Sequence, residues 1–356
     1  MTASIGPRFG VWANVYGSWA ALRHPDDPLD ASWERNKRLV LLAEELGFDS
    51  TLVAQHEINP FGGHLDQLEA WTSSAALAAL TERIEIITAI KPLLYHPVVL
   101  AKQALQIEEI ARGRFAINLV NAWYKPEIEP AGIAFPEHDE RYAYGAEWLT
   151  VTRRLLAGEE VTFSGRYFDV RNYSLRPEDR FRERPTIYVG GESDPAKDLA
   201  ADQADVWFLN GQPPHEIDRL LGEVRSRGRE GAVRTPLRIG LAAFVIARET
   251  DEQAQEALAH AWTLAAQDQP ARAHLYANAD PEAVMFQTFQ KYPAIGTNGG
   301  TAAGLVGSYD RVAERIRAFH EQGVELFMLQ FQPFESEMTR FAEHVVPRVR
   351  RAPVAA

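Results

Sequence analysis

The sequence predicts an α/β fold, a closed (β/α)8 TIM barrel with insertions, on three observations. Short apolar runs of strand type alternate with helix-type runs from end to end, and eight such units fit within 356 residues. The first strand runs into WANVYGSWA, without the GxGxxG turn that a doubly wound dinucleotide-binding sheet would need. Strands apolar on both faces, each followed by a helix, belong to a parallel sheet covered by helices.

RFGVWA (8–13) is the first strand, and the helix after it starts at Ser32 and stops at Gly47, with Leu39, Leu42, Ala43 and Leu46 on one face. FDSTLVA (48–54), an apolar helix over about 69–80 and IEIITAI (84–90) follow. Pro97 and Gly113 bracket a third helix. FAINLV (115–120) leads into the helix RYAYGAEWLTVTRRLLAG, and TIYVGG (186–191), VWFLNG (206–211), LRIGLAAFVIA (237–247) and ELFMLQF (325–331) complete the eight strands. Residues 1–356 read as one domain with insertions at about 158–185 and 266–305. The second ends in the Gly-rich IGTNGGTAAGLVG and is a candidate lid, because long connections inside a compact domain are usually functional or disordered.

Composition narrows the function. A hydrophobic content of 46% with 24% charge describes a soluble globular protein. No apolar run reaches the roughly 18 to 20 residues of a membrane span, and MTASIGPRFG has no signal-peptide core, so a cytoplasmic protein with no membrane partner is expected. A net charge of −12 without a basic stripe argues against nucleic acid, and RSRGRE (225–230) reads as a solvated helix end. There is no cysteine, which excludes disulfides, thiolate metal ligands and a Cys nucleophile; redox chemistry has to come from a bound cofactor.

In a (β/α)8 barrel the active site lies where the strands end. Those ends carry Trp12 and Asn14 with Trp19 beyond; Gln55, His56 and Glu57; Lys91, Leu93 and Tyr95; Asn118, Asn121, Trp123 and Tyr124; Asn210 and Gly211; Gln330 and Gln332. Amides and aromatics without carboxylate pairs suit a flat, polar-edged ligand that stacks and hydrogen-bonds, and suit hydrolysis poorly. Gly190, Gly191 and Ser193, ahead of Asp194 and Pro195, either hold a phosphate at a helix N-terminus or make a plain tight turn. Arg141 and Tyr142 of EHDERY either join that anion or start a helix capped by His138 or Asp139. His56, at a strand end beside a carboxylate, is a general base or a supporting hydrogen-bond partner. His56, His96 and Glu57 come from only two strands, so no metal is expected.

NLVNAWYKPE, EHDERY, YVGGESDPA and LVGSYDRVAERI, in that order, resemble the bacterial luciferase-like, flavin-dependent two-component monooxygenases over nearly the whole chain. EHDERY, WFLNG and IGLAAFVIARET are most similar to dimethyl sulfone monooxygenases; NLVNAWYKPEIEPAGI is similar to the pyrimidine oxygenases, and alkanesulfonate monooxygenases are more distant. The resemblance implies a luciferase-like barrel, a homodimer or homotetramer, that takes FMN as FMNH2 from a separate NAD(P)H:flavin reductase. It uses O2 as cosubstrate, through a flavin peroxide, to oxidise a small organic substrate.

It also implies roles for residues. Ala54 and Gln55 would line the isoalloxazine, Asn118 would bond its edge or the peroxide, and Glu127 would contact flavin. Arg141, Tyr142 and Ser193, with Gly190 and Gly191, would hold the phosphate. Asn118, His56 and Trp123 are the expected catalytic residues, and Trp12, Tyr95, Tyr124, Phe244 and Gln332 the expected substrate contacts. Ala242, Phe244, Asn298 and Gln332 stand where alkanesulfonate enzymes carry Arg, His, Arg and Tyr, which favours a neutral sulfone such as dimethyl sulfone, cleaved at a C–S bond, as part of sulfur metabolism. Ala89 stands where pyrimidine oxygenases have Thr, which leaves the position of the peroxide open. The alternatives are an alkanesulfonate or other luciferase-like monooxygenase, a deazaflavin-dependent oxidoreductase of the same fold, and a non-catalytic flavin-binding protein.

Overall fold

The computed structural model describes residues 6–17, 20–228 and 235–350. Trp19 and the end of RSRGRE lie outside the described residues. Eight parallel strands close into a barrel in sequence order: β1 (Arg8–Ala13), β2 (Ser50–Val53), β3 (Glu85–Ile90), β4 (Phe115–Leu119), β5 (Thr186–Gly190), β6 (Val206–Leu209), β7 (Arg238–Phe244) and β8 (Val324–Gln330), with β8 returning to β1. Each of the eight apolar runs read from the sequence is one of these strands. The run 237–247 is cut at Phe244, and its last residues form a separate short strand, Ile246–Arg248, beside Val306–Ser308.

The α-helices of the described residues are α1 (Trp33–Glu45), α2 (Ala70–Leu80), α3 (Pro97–Ala111), α4 (His138–Leu156), α5 (Asp194–Gln203), α6 (Pro214–Ser226), α7 (Asp251–Ala265), α8 (Gln269–Asn278), α9 (Val284–Lys291), α10 (Tyr309–Gln322), α11 (Phe334–Arg340) and α12 (Val346–Arg350). Ser32 caps α1 as its position suggests, accepting from the Arg35 N–H at 3.3 Å. The cap position of α4 is Glu137, one residue before His138 and two before Asp139, the expected caps.

Inside the barrel the strands pack closely: a Cβ on Gly10 would lie 2.4 Å from Ser50 Oγ and 2.7 Å from Met328 Cε. The entry end is closed by polar groups at strand starts. Arg8 donates to Glu85 at 3.0 Å, and the buried Tyr188 hydroxyl donates to the same carboxylate at 3.2 Å. The exit end stays open to the loops.

Both insertions are folded. The first pairs Val161–Ser164 with Asp169–Tyr173 antiparallel against α4, where Tyr144 meets Tyr167 and Phe168 at 5.3 and 4.9 Å. The second, carrying α8 and α9, lies across the barrel mouth and is tied to loops after three strands. Asp280 N–H donates to Trp123 O at 2.7 Å, Gly211 N–H to Asn298 O at 2.8 Å, and Arg272 to Ala20 O at 2.6 Å. Among the described residues no helix is long and apolar enough to cross a membrane.

Candidate active site

Where the strands end they surround a cavity that opens towards the loops. Its wall includes Trp12, Ala54, Gln55, His56, Lys91, Asn118 and Trp123 from the first four strand ends and Gly190, Gly191 and Ser193 after β5, with Tyr142 of α4. The covering segment adds Glu282, Met285, Thr297 and Asn298. These elements meet because a parallel barrel brings all its strand exits to one rim, whatever their separation in sequence.

Several buried polar atoms of this wall complete no hydrogen bond among the described residues: Trp12 Nε1, Asn118 Oδ1, Asn121 Nδ2 and Ser193 Oγ. Unmet donors and acceptors in a dry wall are costly unless something binds them. Asn118 sits beside Ala89 in the β3–β4 register, and a methyl group offers the amide no hydrogen-bond partner. At the β5 exit, Gly191 has φ +118°, and a Cβ there would meet Tyr142 Oη at 2.8 Å and Ala196 at 3.0 Å. Ser193 occupies the cap position of α5 without bonding the helix N–H groups, which stay open to an anion.

The turn after β4 builds a second, buried centre. Pro126 lies in a single 3-10 turn, Lys125–Glu127, which folds the chain back so that Glu127, 3% exposed, reaches the ends of β2 and β3. The Lys91 ammonium donates to Glu127 Oε1 and stands 3.1 Å from His56 Nδ1. Glu127 Oε2 lies 3.2 Å from that same nitrogen and accepts the Glu57 N–H at 3.0 Å. Burial alone would raise the Glu127 pKa, but the Lys91 charge outweighs it and the carboxyl is held down at about 2. Burial and then Lys91 push the His56 pKa down, with Glu127 opposing. Burial also lowers that of Lys91, again against Glu127.

Six expected contacts do not reach the cavity wall. Glu127 is behind it, occupied by Lys91 and the Glu57 N–H. Arg141 is 4% exposed, bonded to Asp280 through one terminal nitrogen and donating to Pro136 O at 2.7 Å through the other, with its Nε unpartnered among the described residues. Tyr95 packs on Trp71, 6.4 Å between rings. The fully buried Tyr124 has its hydroxyl 3.2 Å from His274 Nε2. Phe244 lines a separate small cavity with Trp12, Asn14 and Phe334. Gln332 brackets the backbone of Ala21, accepting its N–H at 2.9 Å and donating to its carbonyl at 2.8 Å. Glu127, Arg141, Tyr124 and Gln332 thus have protein partners in place of a ligand, while Tyr95 and Phe244 are set by packing.

Two wall residues carry more than sequence position suggested. Lys91 stands at a strand end, but its charge pairing is set by a turn 36 residues away. Glu192, the third letter of GGES, is buried; its carboxylate accepts from Asn210 N–H at 2.7 Å and from the Gln212 amide at 2.8 Å. Burial pushes its pKa up to about 7 against those bonds. An acidic residue inside a Gly-rich turn was the available signal. No group of three or more potential metal ligands occurs among the described residues.

The model of the luciferase-like monooxygenase family matches residues 15–326, and the chain belongs to that family. It is 32% identical over 345 residues to an FMNH2-dependent dimethylsulfone monooxygenase of Pseudomonas putida, covering 90% of this chain and 89% of the relative. With the enzyme of the same description from Pseudomonas fluorescens (strain Pf0-1) it shares 31% over 357 residues, 96% and 94% of the two chains. Its fold is similar to a crystal structure of a long-chain alkane monooxygenase, at TM-score 0.81 and 20% identity over 98% of this chain and 92% of the other.

Proposed function

We propose that the protein is an FMNH2-dependent monooxygenase acting on a small neutral organic substrate, a sulfone such as dimethyl sulfone, with loss of one C–S bond. The dimethylsulfone monooxygenase relatives support the flavin and the reaction class. The observation that carries the choice of a neutral substrate is charge closure: Lys91 is paired with Glu127, Arg141 with Asp280, and burial keeps His56 toward its neutral form. A sulfonate is a fixed anion and needs an uncommitted cation in a dry pocket.

The residues present fit the cofactor. The uncapped α5 N-terminus, the space over Gly191 and the hydroxyls of Ser193 and Tyr142 would take the phosphate. Ala54, Gln55 and Asn118 would border the ring system, and the unpaired Asn118 Oδ1 would be an acceptor for a ring N–H. Reduced flavin, when bound, activates O2 so that one oxygen atom reaches the substrate. The chain's own part is to hold ring and substrate together, with Trp12 and Trp123 as apolar walls, and to keep water out with the 266–305 segment acting as a lid. A separate NAD(P)H:flavin reductase supplies FMNH2 to a homodimer or homotetramer in the cytoplasm.

Oxygen insertion at a C–H bond beside the sulfone leaves an α-hydroxysulfone, which collapses to a sulfinate and an aldehyde. The test is anaerobic loading with FMNH2, mixing with O2, and measurement of aldehyde from dimethyl sulfone beside sulfite from methanesulfonate. Aldehyde from the sulfone in excess is expected; preferential turnover of the sulfonate would overturn the substrate assignment, and O2 consumption independent of FMNH2 would overturn the cofactor.

A further inference from the structure

His56 Nδ1 is placed between a donor and an acceptor: the Lys91 ammonium at 3.1 Å and Glu127 Oε2 at 3.2 Å. One nitrogen cannot serve both. If it carries a proton it bonds Glu127 and confronts the ammonium; if it carries a lone pair it accepts from Lys91.

Counting the groups decides between them. Glu127 has its oxygens served without the histidine, Oε1 by Lys91 and Oε2 by the Glu57 N–H at 3.0 Å. Lys91 is 2% exposed and has three protons to place, with only Glu127 Oε1 and His56 Nδ1 bonded to its ammonium among the described residues. A buried ammonium proton left without an acceptor costs more than a carboxylate oxygen with one donor fewer.

We propose that Lys91 is a positioning residue that donates to His56 Nδ1, fixing the neutral imidazole with its proton on Nε2, so that His56 serves the cavity as a hydrogen-bond donor and not as a base. The other charged groups on this face agree with it. Glu57, whose oxygen accepts from Gln55 at 3.3 Å, and Glu127 are both held by protein donors, and neither competes for Nδ1 as a proton acceptor of first choice. A neutral N–H donor suits a substrate whose reachable atoms are acceptors, such as the oxygens of a sulfone, and in this respect the inference rests on the proposed function. The tautomer itself does not.

The test is nitrogen-15 NMR of the full-length, cofactor-free protein labelled at histidine, with His56 assigned from the spectrum of His56→Gln. The expected result is an unprotonated Nδ1 and a protonated Nε2 for His56 from pH 6 to 8. In Lys91→Met the two signals should exchange, Nδ1 turning to Glu127, with the histidine titrating at higher pH than in the wild type. A wild-type Nδ1–H, or a tautomer unchanged in Lys91→Met, overturns the proposal. The wild-type spectrum decides even if the variant does not fold, and neither spectrum depends on the protein's turning out to be a monooxygenase.

Discussion

Arg141 on α4 and Asp280, between α8 and α9, form a buried ion pair that joins the barrel to the segment covering its mouth. At 4% and 8% side-chain exposure the pair is nearly dry, so either charge left alone is expensive. Asp280→Ala should cost about 3–5 kcal/mol in urea unfolding and strip hydrogen-exchange protection from α8 and α9. Unchanged protection of those helices would mean that the pair does not hold the segment. The Arg141→Leu, Asp280→Leu double variant should recover part of the loss, because it removes both buried charges.

Glu192 makes stability depend on pH. Its folded-state pKa of about 7 lies above the ordinary 4.5, because burial disfavours the charged form. The contribution is therefore fully present below about pH 4.5, where both states are protonated, and is lost as pH rises toward 7, while the unfolded chain has already released its proton. Relative to Glu192→Gln, the wild type should lose up to about 3 kcal/mol between pH 4.5 and 7 and little beyond pH 8. Urea midpoints measured across that range check this, and parallel curves for the two proteins would reject it.

Gly191→Ala places a methyl group 2.8 Å from Tyr142 Oη at a φ of +118°, a conformation open to glycine alone. The strain is of the order of 1–3 kcal/mol, and the methyl group also fills the space between Tyr142 and Ala196. FMN affinity, followed by flavin fluorescence quenching, should fall about tenfold or more. Affinity equal to wild type would place the phosphate elsewhere.

Asn118→Ala separates function from folding. The Asn118 Oδ1 makes no bond among the described residues, so its removal should change unfolding free energy by less than about 1 kcal/mol. Turnover with FMNH2 and O2 should fall by a factor of about 100 if the amide positions the ring. Wild-type turnover would remove Asn118 from the site.

The barrel was legible because its signals are local. Eight apolar runs, the cap at Ser32, the first-turn Pro97, and the stops at Gly47 and Gly113 each report on their own few residues. In a barrel, knowing where a strand ends is knowing what faces the cavity, which is why Trp12, Gln55, His56, Asn118 and Ser193 were found by position alone.

Competition for partners was not legible. Arg141 and Glu127 look like ligand contacts until Asp280 and Lys91, distant in sequence, are seen to occupy them; Gln332 looks like a wall residue until it is found bracketing Ala21. Glu192 gains its raised pKa only from the burial that surrounds it. By itself the sequence determined the fold, the rim and the family, because these follow from periodicity and short motifs. Only the tertiary structure decided which rim groups remain uncommitted, because a side chain's availability depends on what else comes within about 3 Å of it, and local sequence does not specify that distance.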